Sequence, residues 1–136
     1  MHNQAPIRTR FLGILAGILV GLLLAGSAGC TTKVMWRESS RPGHWRAAYE
    51  RFNGAAQTRF RAQEGQVITL DYEIVVDEGV LRAQIVDPEG EALWSQTFRE
   101  HASGSTTFKT PQAGRYRLRV EAEQTAGRFA FAWGVE

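Results

Sequence analysis

The chain has 136 residues, with 16 Lys or Arg against 14 Asp or Glu and a single cysteine. One cysteine excludes an internal disulfide framework, and the length suits one small domain behind a leader, not two domains. The net charge of +2 does not argue for nucleic acid, because Arg8 and Arg10 stand in the first ten residues and without them bases and acids balance at 14 each.

Residues 1–10 carry those two arginines and no acid, and Phe11 to Gly29 then runs without a charged residue. A basic start, an apolar run and small residues at its end form the pattern of a secretory signal. The cationic end stays in the cytoplasm, so the following domain is expected outside. The run closes on Ser27-Ala28-Gly29-Cys30. This resembles the bacterial lipobox, in which small residues precede an invariant cysteine. Ala28 and Gly29 match; Ser27 stands where Leu is usual, and Leu24 lies three residues too early. The resemblance implies that Cys30 is lipidated with a diacylglyceryl group and palmitate-type chains, and that residues 1–29 are removed. Two or more acyl chains anchor stably where one does not. The competing readings are an uncleaved span, for which nineteen apolar residues nearly suffice, and plain secretion. The expected location is extracytoplasmic and membrane-anchored, on the outer face of the cell membrane or in the periplasm and outer membrane.

Past the cysteine, residues 31–42 are polar and read as a tether, so that 30–51 is expected as a lipidated tether and 52–136 as the domain. Trp45 to Phe52 fits either a strand or one or two helical turns, since Trp45, Ala48, Tyr49 and Phe52 also make a helical stripe. Beyond Phe52 the chain alternates apolar and polar residues. Ile68, Leu70, Tyr72, Ile74 and Val76 share one parity, then Leu81, Ala83 and Ile85, then Tyr116, Leu118, Val120 and Ala122, then Phe129, Phe131 and Trp133. Turn residues punctuate these runs at Glu78-Gly79, Asp87-Pro88-Glu89-Gly90, Pro111 to Gly114 and Ala126-Gly127. Asp, Pro and Gly at the first, second and fourth places of 87–90 predict a type I turn.

Seven strands are predicted, near 57–61, 67–77, 80–86, 92–98, 105–109, 115–122 and 128–134: an all-β, single antiparallel β-sandwich. A two-residue hairpin at Glu78-Gly79 sets Val76 against Leu81 and Tyr72 against Ile85. A second hairpin sets Ala122 against Phe129, Leu118 against Trp133 and Glu123 against Arg128. A three-residue loop pairs Ile85 with Leu93 and leaves Trp94 outside, beside Gln84. Tyr72, Ile85, Leu118 and Phe131 are expected in one core. The run Phe60, Glu64-Gly65, Leu70, Tyr72, Gly79, Leu81, Ile85, Asp87-Pro88, Gly90, followed by Phe108, Gly114, Tyr116, Leu118 and Val120, resembles GOLD-type (emp24-like) and jelly-roll β-sandwich modules. That resemblance implies the fold and a non-catalytic interaction role.

Chemistry is sparse. Outside the leader only His44 and His101 are histidines. His101 sits near Ser103 and Glu100 in what reads as a solvated loop, without a nucleophile elbow or an ordered triad. No metal-ligand spacing and no phosphate loop occur, so no metal, cofactor or enzymatic activity is expected. Two features stand out. Arg115, Arg117 and Arg119 alternate on one strand face, expected beside Ala130, Ala132 and Gly134, and suit carboxylate or phosphate. Trp94, if exposed, suits a protein or sugar contact. The expected role is a lipid-anchored β-sandwich that binds another envelope component. The alternative is a ligand-binding module for an anionic polymer or carbohydrate. The partners are thus the membrane through its lipid and an envelope protein or polymer, with no nucleic acid.

Overall fold

The computed structural model describes residues 30–136. The signal segment 1–29 lies outside them. The described residues are all-β: β1 (Thr32–Val34), β2 (Arg37–Arg41), β3 (His44–Ala62), β4 (Val67–Val86), β5 (Ala92–Phe98), β6 (Ala102–Lys109) and β7 (Gly114–Val135) form one antiparallel sheet in the order β1-β3-β7-β4-β5. β2 pairs with β3, and β6 pairs with β4.

Three of these strands are about three times the usual length, and each changes its buried face part-way along. In β3 the buried positions run Trp45, Ala47, Tyr49 and then Phe52 and Ala62. In β4 they run Ile68, Leu70, Ile74, Val76 and then Leu81, Ala83, Ile85. In β7 they run Tyr116, Leu118, Val120, Ala122 and then Thr125, Phe129, Phe131. Parity therefore switches from odd to even or back at one common level. Register shifts fall there, between Tyr49 and Gly54 in β3 and between Val76 and Val80 in β4. An inserted residue flips every later side chain to the other face and bends the strand. At this level the sheet doubles back on itself. Its first half contains β2, residues 44–49, 127–135, 67–76 and β6; its second contains residues 54–62, 114–122, 80–86 and β5.

The two halves face each other across a single core. Trp45, Leu70, Ile74 and Phe129 of the first half join Leu81, Ile85, Leu118 and Val120 of the second. Aromatic contacts bridge the layers: Phe60 lies 5.6 Å from Trp133, and Tyr72 lies 5.6 Å from Trp94. At the corner, the Thr125 hydroxyl donates to the Glu78 carbonyl at 2.8 Å, tying β7 to β4. Gly127 takes φ 142° there, and a Cβ on it would lie 1.9 Å from the Val75 carbonyl oxygen. Only glycine admits that approach.

The all-β sandwich stands as read, and Ile85, Leu118 and Phe131 are buried in one core with Tyr72 half-buried against it. Both long hairpins are corrected. Residues 67–86 are one strand, with Tyr72 opposite Gly104 and Phe131, and Ile85 opposite Trp94 and Leu118. Residues 114–135 are likewise one strand; Leu118 pairs with Thr58 and Ile85, and Glu123 with Val80, not Arg128. A parity switch marks a two-residue loop and a bulged corner equally well, and the long-range partners choose the corner.

The 30–51 tether is also corrected. β1 and β2 pair with β3, and Trp45, Ala47 and Tyr49 are buried. The Glu38 carboxylate accepts from the indole N–H of Trp45 at 2.6 Å and of Trp36 at 2.9 Å, which joins this segment to the core. The helical stripe there arises because the bulge after Tyr49 brings Phe52 onto the buried face. The 87–90 turn stands: Gly90 N–H donates to the Asp87 carbonyl at 3.1 Å, and the buried Asp87 carboxylate accepts from Glu89 and Glu91 N–H at 2.9 Å each.

Candidate functional site

Since Tyr116, Leu118 and Val120 point inward, Arg115, Arg117 and Arg119 point out from the second half of the sheet. Their neighbours are not the expected Ala130, Ala132 and Gly134, which lie in the other layer. Arg115 stands opposite Arg61, Arg117 opposite Arg59, and Arg119 opposite Gln57. On the other side Arg117 faces Val86, and Arg119 faces Gln84. The three arginines thus become five, in rows about 6.6 Å apart along strands about 4.8 Å apart.

Two of these rows place like charges directly opposite each other, an arrangement that costs stability in a sheet. Compensation is thin. Among the described residues Arg59, Arg61, Arg115 and Arg117 make no salt bridge, whereas Arg119 reaches Glu121 at 3.1 Å. Glu121 also pairs with Arg82, so the basic field ends at that row. Beyond it, toward the corner, stand Glu123 and Glu78. The field is therefore strongest at the end away from the corner. Cys30, exposed and free, precedes β1, which pairs with residues 51–53 at the corner.

Alternation along β7 announced Arg115, Arg117 and Arg119. Arg59 and Arg61 carried the same signal, at the same spacing in the segment 57–61, but nothing local says that β3 lies beside β7.

Trp94 is not the exposed platform expected. It pairs with Ile85, one position from the anticipated register, because a bulge follows Ile85. Its ring packs on Tyr72, whose hydroxyl donates to Gln96 at 3.1 Å. The exposed large apolar side chains among the described residues are Val34, Met35 and Val67, none beside Trp94.

The histidines do not build a reaction centre. His101 is exposed and lies 3.4 Å from the equally exposed Asp77 carboxylate. His44 is exposed on β3, on the outer face of the first half. Among the described residues the buried polar side chains are Asp87, Thr110 and Thr125. Each closes a turn or the corner; Thr110 accepts from Gln66 N–H at 2.9 Å and donates to the Gln63 carbonyl.

The outer face of the first half is different in character. Ala130 and Ala132 of β7 form its floor, with Arg46 and His44 of β3 on one side and Glu73 and Asp71 of β4 on the other. Depressions of about 390, 430 and 570 Å³ follow one another along it.

No protein-family model matches the chain, and no curated protein matches it. Solved structures similar to it include one described as CBM4 structure and function, with 16% identity, 82% of each chain covered and a TM-score of 0.49. Another is the carbohydrate-binding module CBM6cm-2 of Cellvibrio mixtus lichenase 5A in complex with cellotriose, with 10% identity, 78% and 89% covered and a TM-score of 0.46. A third is the C-terminal CBM6 of LamC, a laminarinase from Zobellia galactanivorans, with 14% identity, 78% and 93% covered and a TM-score of 0.45. At these identities the likeness is one of strand arrangement, and the chemistry rests on this chain's own residues.

Proposed function

We propose that the protein is a lipid-anchored, non-catalytic module that holds an anionic polymer outside the membrane through Arg59, Arg61, Arg115, Arg117 and Arg119. The observation that carries this reading is the pair of like-charged rows, Arg61 with Arg115 and Arg59 with Arg117, on one exposed face. A sheet that only needs a soluble surface gains nothing from opposing guanidiniums. An anion lying between them is contacted from both strands, and guanidinium forks match carboxylate, sulfate or phosphate oxygens in pairs. Each charge-assisted contact is worth about 1.5–3 kcal/mol before the cost of ordering the ligand.

The anchor enters as part of the same reading. Lipidation of Cys30 puts the attachment at the start of β1, without a tether, and so places the corner nearest the bilayer. The basic rows then lie toward the far end of the sandwich, presented to polymer and not to the bilayer's own headgroups. A partner protein docking near Trp94, the other role expected from sequence, loses its support because that ring is covered by Tyr72.

Co-sedimentation tests the polymer reading. The full chain in nonionic detergent is mixed with sulfated dextran or polyphosphate at low and high salt. Binding is expected at low salt and falls as salt shortens the screening length to about 8 Å at physiological strength and below. Arg59→Glu is the informative variant. It creates an opposite-charge pair with Arg117, worth roughly 0.2–1 kcal/mol of added stability, while it cuts polymer binding several-fold. Equal binding by wild type and Arg59→Glu refutes the site. For the anchor, cells fed an alkyne-tagged fatty acid are expected to label the wild type but not Cys30→Ala.

A further inference from the structure

The outer face of the first half-sheet carries a groove that neither the arginine rows nor the anchor uses. At its far end the floor is small, Ala130 and Ala132 of the central strand; nearer the corner the exposed Arg128 rises from the same strand, with Ala48 of β3 beside it. The three depressions are continuous. The first and second share Arg46, Glu73 and Ala130, and the second and third share Arg37, Ala48 and Arg128. The groove follows β7 from Ala132 to Gly127, about 17 Å at a strand's rise per residue.

Its walls carry opposite charge. Arg46 and Glu73 flank Ala130, and His44 and Asp71 flank Ala132. The flanking strands lie two spacings apart, about 10 Å. Among the described residues Arg46, Asp71 and Glu73 make no salt bridge, so neither wall neutralises the other.

We infer that this groove is a second binding site, for a neutral polyhydroxylated chain, that is, a glycan. An anionic ligand meets the Asp71 and Glu73 wall, and a cationic one meets the Arg46 side. A hydroxyl both donates and accepts. One chain of hydroxyls therefore satisfies carboxylates on one side and guanidiniums on the other, over a floor that keeps it low. The length suits a short stretch of polymer and not a single small molecule. No aromatic side chain stands exposed among the described residues to stack on a ring, so the affinity is modest, with Kd about 1 mM. Binding here is insensitive to salt, in contrast to the arginine face.

The test is native affinity electrophoresis of the full chain, in a polyoxyethylene detergent that carries no sugar. Hydroxyethyl cellulose, soluble starch and a galactomannan are cast in separate gels. At least one is expected to retard the wild type equally at low and high salt. Removing the acceptor wall with Asp71→Ala and Glu73→Ala, or filling the floor with Ala130→Leu, is expected to weaken retardation at least about five-fold. Arg59→Glu is expected to leave it unchanged. No retardation by any of the three polymers overturns the inference, as does retardation that survives both groove variants. Because Ala130→Leu keeps every charged group, it still decides the matter if the double variant unfolds. Loss of anionic-polymer binding alone fails the arginine reading and leaves this one standing.

Discussion

Replacing Gly127 by alanine tests the corner on which both faces depend. Gly127 has φ 142°, and its added Cβ would fall 1.9 Å from the Val75 carbonyl oxygen. A comfortable C···O contact is about 3.3 Å, so one of the two backbones must move by about 1.4 Å. The left-handed φ costs roughly 1–3 kcal/mol for a residue with a side chain, and displacing the adjacent ladder leaves a buried backbone group unpaired at roughly 1–3 kcal/mol more, so that the expected loss is about 2–6 kcal/mol. Gly90→Ala is the matched control, because Gly90 also has positive φ, 90°, but nothing lies within 4 Å of its Cβ position. Its cost is the backbone term alone, about 1–2 kcal/mol. Both are made in residues 30–136 carrying Cys30→Ser and unfolded in urea. At a typical slope of about 1–3 kcal/mol/M, the midpoints should differ by about 1–2 M, with Gly127→Ala the weaker. Equal midpoints would mean that Gly127 is not pressed against β4, as in a hairpin that bends away from Val75, and the doubled sheet would be wrong.

Leu118, fully buried, should cost about 2–5 kcal/mol on truncation to alanine in the same assay. Thr110→Val keeps the shape but removes the hydroxyl that serves Gln63 and Gln66, and should cost about 1–3 kcal/mol while leaving sugar and polymer binding unchanged. Burial, and secondarily the Asp77 carboxylate, hold the Tyr49 phenol well above its ordinary 10. A group whose folded pKa is raised stabilises fully below its unfolded pKa and loses that contribution above it, so stability should fall as pH rises past about 10. Tyr49→Phe should flatten the fall, measured as the urea midpoint against pH; an identical fall in the variant would place the cause elsewhere.

The sequence by itself determined the β class, the identity of most inward side chains and the 87–90 turn. These follow from period-two burial and from Asp, Pro and Gly preferences, all of them local. It also marked Arg115, Arg117 and Arg119 as one outward row, for the same reason. What only the tertiary structure decided is what each row lies beside. Val76 to Leu81 and Ala122 to Thr125 change parity, and a parity change is the same string of letters whether the chain reverses in a hairpin or bulges and runs on. The choice is made by partners far along the chain: Phe131 opposite Tyr72, Leu118 opposite Ile85. With the corner in place, Arg59 and Arg61 move next to Arg117 and Arg115, and Ala130 and Ala132 move away to floor a groove on the opposite layer. The 45–52 segment shows the same limit in miniature. Its bulge puts Phe52 on the buried face, which imitates a helical stripe, and pairing with β7 makes it a strand. Periodicity fixes which face a residue takes on its own strand, and the other strand on that face is set by packing across the whole chain.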